Sequence, residues 1–155
     1  MYSSHFLARL AESHARLGQI EESRRFLERA VVVVGETMER VWEAEIYRLR
    51  GQLALLDASI DAPPGRTISR PRVSSQVRAA ESLAETWFRR ALDVARHQEA
   101  RSLELRAATS LARLWHRQGQ HAEARDLLEP VHAWFAEGFD TADFSEARQL
   151  AAMLA

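Results

Sequence analysis

The groups in this chain that could do chemistry are histidines, carboxylates and a large set of arginines. Their spacing argues against a catalytic centre. His116 and His121 fall on either side of Gly119. A helical zinc site of the protease kind needs two histidines four apart with a glutamate between, and no His-Glu-x-x-His stretch occurs. The histidines read as solvated or groove-lining groups, and no metal is expected. Glu21/Glu22 and Glu43/Glu45 offer paired carboxylates. Each pair has arginines three or four residues away, the spacing of ion pairs along a solvated helix face. Serines and histidines occur without the Gly-x-Ser-x-Gly turn that exposes a nucleophile. Gly65 stands alone, so there is no glycine-rich phosphate cradle. Cysteine is absent, which removes disulfides, thiolate metal sites and a thiol nucleophile together. No catalytic residue, cofactor or metal is assigned, and the chain is expected not to be an enzyme.

The arginines are more informative. All 21 Lys+Arg positions are arginine, so every side-chain cation other than histidine is a planar fork suited to carboxylate or phosphate. The net charge of −1 gives no global field that would hold nucleic acid or an anionic membrane by counterion release. Neither is expected as a partner. What the arginines can bind depends on which of them share a face, and therefore on the elements that carry them.

Those elements are helices. Phe6, Leu7, Leu10, Ala11 and Leu17 form one apolar stripe, and Ile20, Phe26, Leu27, Ala30 and Val31 form a second. Gly18 lies between them as a left-handed terminator, and Gly35 is expected to end the second helix. A third helix is expected from about Glu36 to Ala58, with Val41, Trp42, Ile46, Leu49, Leu53 and Leu56. The segment from about residue 59 to 76 contains Pro63, Pro64 and Pro71 with Arg66, Arg70 and Arg72, and has no periodicity. It reads as a mobile insertion, either a docking segment or a tolerated surface loop.

Helical pattern returns from about Val77 to His97, with Leu83, Ala84, Trp87, Phe88, Ala91, Leu92 and Val94 inward. A fifth helix spans about Ala100 to Gln118. A sixth runs from His121 to about Phe135, with Pro130 expected to kink or shorten it. A short seventh follows, capped by Thr141 or Asp143, with Asp143-Phe-Ser-Glu146 as a variant capping box. No segment alternates, so no sheet is expected. Trp87-Phe88 and Trp134-Phe135 fall at core spacing.

The helices repeat. Leu7-x-x-Leu10-Ala11 is followed by Gly18, Ser23, Leu27 and Ala30, and Ala108-x-x-Leu111-Ala112 by Gly119, Ala124, Leu128 and Val131, at identical offsets. A middle copy is split, with Tyr47, Gly51 and Ala54 before the insertion and Ala84, Phe88 and Ala91 after it. The insertion lengthens this copy by about 21 residues relative to its neighbours and lies between its two helices. Small residues let paired helix backbones approach, and a hairpin that cannot bury its apolar face alone stacks on others. The expected fold is all-α: a single domain over 1–155, about three antiparallel hairpins in a right-handed superhelical stack, plus a short C-terminal helix.

Tyr47, Gly51, Ala84, Phe88 and Ala91 resemble the tetratricopeptide repeat, with a period of about 40 where about 34 is usual. Four stretches, 42–53, 84–96, 102–115 and 138–147, are similar to the C-terminal repeat regions of large bacterial signalling proteins. Those proteins join a class III adenylate/guanylate cyclase domain, or a winged-helix or LuxR-type DNA-binding domain, to an AAA-like ATPase. Neither a cyclase domain nor an ATPase phosphate loop occurs in this sequence, so neither activity carries over. The resemblance implies a protein-interaction module, the C-terminal piece of a cytoplasmic regulator.

In such stacks the first helix of each hairpin lines the concave face. Projection from the packed positions places Glu12, Arg16, Arg48, Gln52, Arg106, Thr109, Arg113, His116 and Arg117 there. The eight other than Glu12 are the expected partner-binding set, suited to an acidic protein or peptide. The alternative is that these arginines pair with neighbouring glutamates. A second function is self-association into a homodimer through the apolar faces of the end hairpins. The N-terminus has no basic segment followed by an apolar run, and the longest apolar stretch, Ala30 to Val34, is far below the roughly 20 residues of a membrane helix. No membrane association is expected, and a cytoplasmic home is.

Overall fold

The computed structural model describes residues 3–37, 40–60, 75–134 and 141–154. Among these the chain is all-α: α1 (Ser4–Arg16), α2 (Ile20–Thr37), a 3₁₀ turn (Arg40–Trp42), α3 (Glu43–Ile60), α4 (Ser75–His97), α5 (Arg101–Arg117), α6 (His121–Ala133) and α7 (Ala142–Leu154). Of the segment read as an insertion over 59–76, residues 59–60 and 75–76 are helical, and 61–74 lie outside the described residues.

Three hairpins form, α1/α2, α3/α4 and α5/α6, and the first helices α1, α3, α5 and α7 pack side by side. Alanine sets the close crossings: Ala11, Ala30, Ala84, Ala91, Ala108, Ala112 and Ala124 are wholly buried. Ser23 occupies the place that Ala124 holds in the third hairpin. Its hydroxyl donates to the Ala11 carbonyl at 2.8 Å, so the polar atom costs little. The glycine turns behave as expected. Gly18 (φ +73°) and Gly119 (φ +82°) take the left-handed conformation. The amides of Gln19 and Gln120 bond back to the carbonyls of His14 and Trp115, both at 2.9 Å. The turn between α4 and α5 uses Glu99 at φ +54°, a left-handed residue with a side chain.

Two large apolar clusters fill the interior, with a small third one of Ala44, Ala95 and Leu103 where α3, α4 and α5 meet. One joins α1, α2 and α3 through Leu7, Leu27, Val33, Ile46 and Leu49. The other joins α4 to α7 through Phe88, Leu111, Leu114, Leu128 and Leu150, and Tyr47, Ala54 and Leu55 of α3 pack against it. α3 is the seam between them, which is why its apolar residues lie all round the helix rather than in one stripe.

Several local expectations need correction. Gly35 does not end α2, because glycine permits a turn without imposing one; the helix continues to Thr37 and α3 begins only at Glu43. α6 passes through Pro130, which stands exposed, and stops at Ala133. α7 is as long as α1, at 13 residues each. Thr141 caps it, with Oγ1 accepting from the Phe144 amide at 3.3 Å, and Asp143 and Glu146 point elsewhere. Leu83 and Trp134, read as inward, are 49% and 68% exposed. Arg101 covers the Trp134 ring at 4.1 Å.

Candidate functional site: the groove on the first helices

α1, α3 and α5 leave a groove of about 400 Å³ between them. Ala15, Leu55, Leu56, Phe88 and Leu114 supply an apolar lining, and Glu12, Arg16, Gln52, Arg113 and Arg117 the polar part. A polar recess of about 150 Å³ adjoins it, sharing Glu12, Arg16, Gln52 and Ser110 and extending to Arg48, Arg106, Thr109, Asp143 and Glu146. Seven of the eight projected residues therefore meet in one place. The exception is His116, whose Nδ1 faces the Nδ1 of His121 at 2.9 Å outside both linings.

Their states differ from projection. Arg48 is buried, and its Nε and Nη2 donate to the Glu45 carboxylate at 2.8 and 2.7 Å. Glu45 is itself buried, which overturns its reading as a solvated acid. Arg106 reaches Glu45 at 2.8 Å, Asp143 at 3.5 Å and Glu12 at 3.6 Å. Thr109 is buried and its hydroxyl donates to the Leu105 carbonyl at 2.7 Å, one helical turn back. All three side chains are engaged within the protein, although they line the polar recess. A ladder of alternating charge, Glu12, Arg48, Glu45, Arg106 and Asp143, ties α1, α3, α5 and α7 together. Burial acts to lower the Arg48 pKa. The hydrogen bond and charge of Glu45, with the charges of Glu12 and Asp143, outweigh it, so the net shift is upward and the group stays charged.

Toward the rim the arginines are more open. The Arg16 side chain is 77% exposed, with Glu12 at 3.1 Å. Arg113 pairs with Glu146 of α7, both about half exposed. Arg117 is exposed and has no carboxylate partner among the described residues. The sequence reading missed the acids of α7, although a signal was present. Ala147-x-x-Leu150-Ala151 repeats the first-helix pattern of Ala108-x-x-Leu111-Ala112, which marks α7 as a fourth first helix whose exposed acids face the same groove.

Among the described residues no group of three or more His, Asp or Glu is placed to hold a metal ion, and no helix is long and apolar enough to cross a membrane. Two stretches, residues 4–29 and 105–130, match the model of the tetratricopeptide repeat family. They cover α1 with the first part of α2, and most of α5 with most of α6, the two unsplit copies of the repeat. A comparison with curated proteins gives no match. The fold is thus a stack of tetratricopeptide-like hairpins, and repeats of that family are in general protein–protein interaction modules.

Proposed function

We propose that this domain captures an extended acidic segment of a partner protein in the groove between α1, α3 and α5. The observation that carries this reading is an apolar wall of Leu55, Leu56 and Leu114 beside Arg16, Arg113 and Arg117. A ligand that buries one apolar side chain and presents a carboxylate to that rim answers both halves of the lining. The similarity of four stretches to bacterial regulator repeats supports a place in a cytoplasmic signalling assembly, with the partner a sister domain or another protein. The self-associating alternative rests on apolar side chains exposed near the first hairpin, Leu17 at 72% and Val41 at 65%.

Fluorescence anisotropy with a labelled peptide of alternating glutamate and leucine tests the groove. Affinity should fall as salt rises to physiological strength, where the screening length is about 8 Å. Arg117→Glu should weaken binding by about tenfold or more, as loss of a charged hydrogen bond implies. Binding indifferent to both salt and Arg117→Glu would exclude the groove. Light scattering over a concentration series reads the alternative, since a homodimer doubles the mass.

A further inference from the structure

Six arginines line the groove and its recess or pair with the acids there, and four carboxylates answer them. The shortfall is uneven. Glu12 is shared by Arg9, Arg16, Arg48 and Arg106, at 3.0, 3.1, 3.8 and 3.6 Å. Arg48 and Arg106 have a second partner in Glu45, and Arg113 has Glu146. Of the arginines that line the groove itself, Arg16 has only its share of Glu12, and Arg117 has no carboxylate among the described residues.

These two under-neutralised arginines hold the same place in the repeat. Five residues on from the small residues Ala11, Gly51 and Ala112 come Arg16 on α1, Leu56 on α3 and Arg117 on α5. α3 packs against both α1 and α5, so the row across the groove reads cation, leucine, cation. Leu56 is 39% exposed, an open apolar surface between two charges. Packed helices lie about 8–10 Å apart, and the arginine arms shorten the span from one charge to the other. An extended chain advances about 3.3 Å per residue with side chains on alternate sides. Its residues i, i+2 and i+4 therefore face the groove together, the outer two about 13 Å apart.

With the groove as the docking site, on which the assignment rests, we infer that the partner segment carries a fixed order: acid, any residue, large apolar residue, any residue, acid. It crosses α1, α3 and α5 in extended form. Its apolar side chain lies on Leu56, beside Leu55, Phe88 and Leu114 of the same lining, and its two carboxylates take Arg16 and Arg117. Arg113 stays with Glu146. The order sets this ligand apart from acidic segments of the same composition. An apolar residue at either end would face a guanidinium group, and a carboxylate would then lie over Leu56, desolvated without a partner.

The test titrates two fluorescein-labelled peptides of one composition with the intact chain, Ser-Glu-Ser-Leu-Ser-Glu-Ser and its permutation Ser-Leu-Ser-Glu-Ser-Glu-Ser. The first should bind at least about tenfold tighter than the second. Arg16→Gln and Arg117→Gln should each weaken it about tenfold, in chains with unchanged helical circular dichroism. Leu56→Ser should weaken it too, but leave unchanged the affinity for the same peptide with alanine in place of leucine. The plain alternation of glutamate and leucine, which turns the two kinds of side chain to opposite faces, reports on the groove alone. If that peptide binds in a salt-sensitive manner while the two ordered peptides bind equally, the order is overturned and the groove stands. Indifference to Arg16→Gln, or an equal effect of Leu56→Ser on the leucine and alanine peptides, would overturn the order as well. Absence of binding by all the peptides would remove the groove reading and the order with it.

Discussion

Arg106 of α5 forms an ion pair with Glu45 of α3 across the layer of first helices, Nη1 2.8 Å from Oε1, while Arg48 grips the same carboxylate from within α3. One buried acid therefore satisfies two largely buried guanidinium groups. Truncating it leaves both without their closest partner, and breaking a buried pair in this way costs about 3–5 kcal/mol. Glu45→Ala should lower the urea midpoint accordingly. Glu21→Ala, which removes an exposed pair with Arg24, should change stability by less than about 1 kcal/mol. The raised pKa of Arg48 means its stabilisation is present at every pH below the ordinary guanidinium value and is lost only above it. This group adds no pH dependence near neutrality.

Gly51 is the contact point of the middle hairpin. A Cβ built there would lie 2.5 Å from Cε1 and 2.7 Å from Cδ1 of Phe88, a ring that is only 1% exposed. In an open helix Gly→Ala gains about 1 kcal/mol; here overpacking should reverse the sign, with a net loss of about 1–2 kcal/mol. Phe88→Ala should cost about 3–5 kcal/mol through its cavity. With the ring gone, Gly51→Ala should become stabilising. A double-mutant cycle in urea reads that change of sign, and additive effects would mean that the two residues are not in contact.

Glu99 offers the opposite case. It takes φ +54° at the turn from α4 to α5, between two hairpins, whereas Gly18 and Gly119 hold the left-handed positions of the turns within the first and third hairpins. A side chain in that conformation carries roughly 1–2 kcal/mol of strain. Glu99→Gly should raise stability by about 1 kcal/mol, the lower end because glycine also loosens the unfolded chain. Thermal melts of the two proteins decide it.

How far the sequence discloses this structure follows from what each signal measures. Periodicity reports burial on a helix face, so Leu27, Phe88, Leu111 and Leu128 were readable as core. Repeat offsets report helix crossings, so the hairpins and the split of the middle copy were readable too. Gly35 was misleading because glycine allows a left-handed turn without requiring it, and Glu99 was hidden because only strain marks it. The groove was half legible. Helical projection brought Arg16, Gln52, Arg113 and Arg117 together correctly, but it treats a helix as standing alone. It could not show that Glu45 and Arg48 lie where α1 and α5 press on α3, nor that α7 adds Asp143 and Glu146. Whether an arginine is free depends on carboxylates from distant sequence, and no local pattern carries that.

The pair formed by Arg113 and Glu146 makes the last prediction the sharpest. Both side chains are about half exposed, so their attraction contributes less than about 1 kcal/mol to stability. Arg113→Glu alone sets two carboxylates side by side between α5 and α7 and removes a rim cation, so a loss of binding would mix repulsion with the loss of a contact. Exchanging the charges, Arg113→Glu with Glu146→Arg, removes that ambiguity. The pair is rebuilt with reversed polarity, net charge is unchanged, and the melting temperature should stay within a few degrees of the parent. The cation, however, moves from the groove wall of α5 to α7, on the side of the polar recess. If an acidic ligand is read by Arg113 together with Arg117, anisotropy should show about tenfold weaker binding for the exchanged protein. Retained affinity would mean that the ligand senses only the summed charge of the region. The site would then lie with Arg16 and the recess rather than along α5.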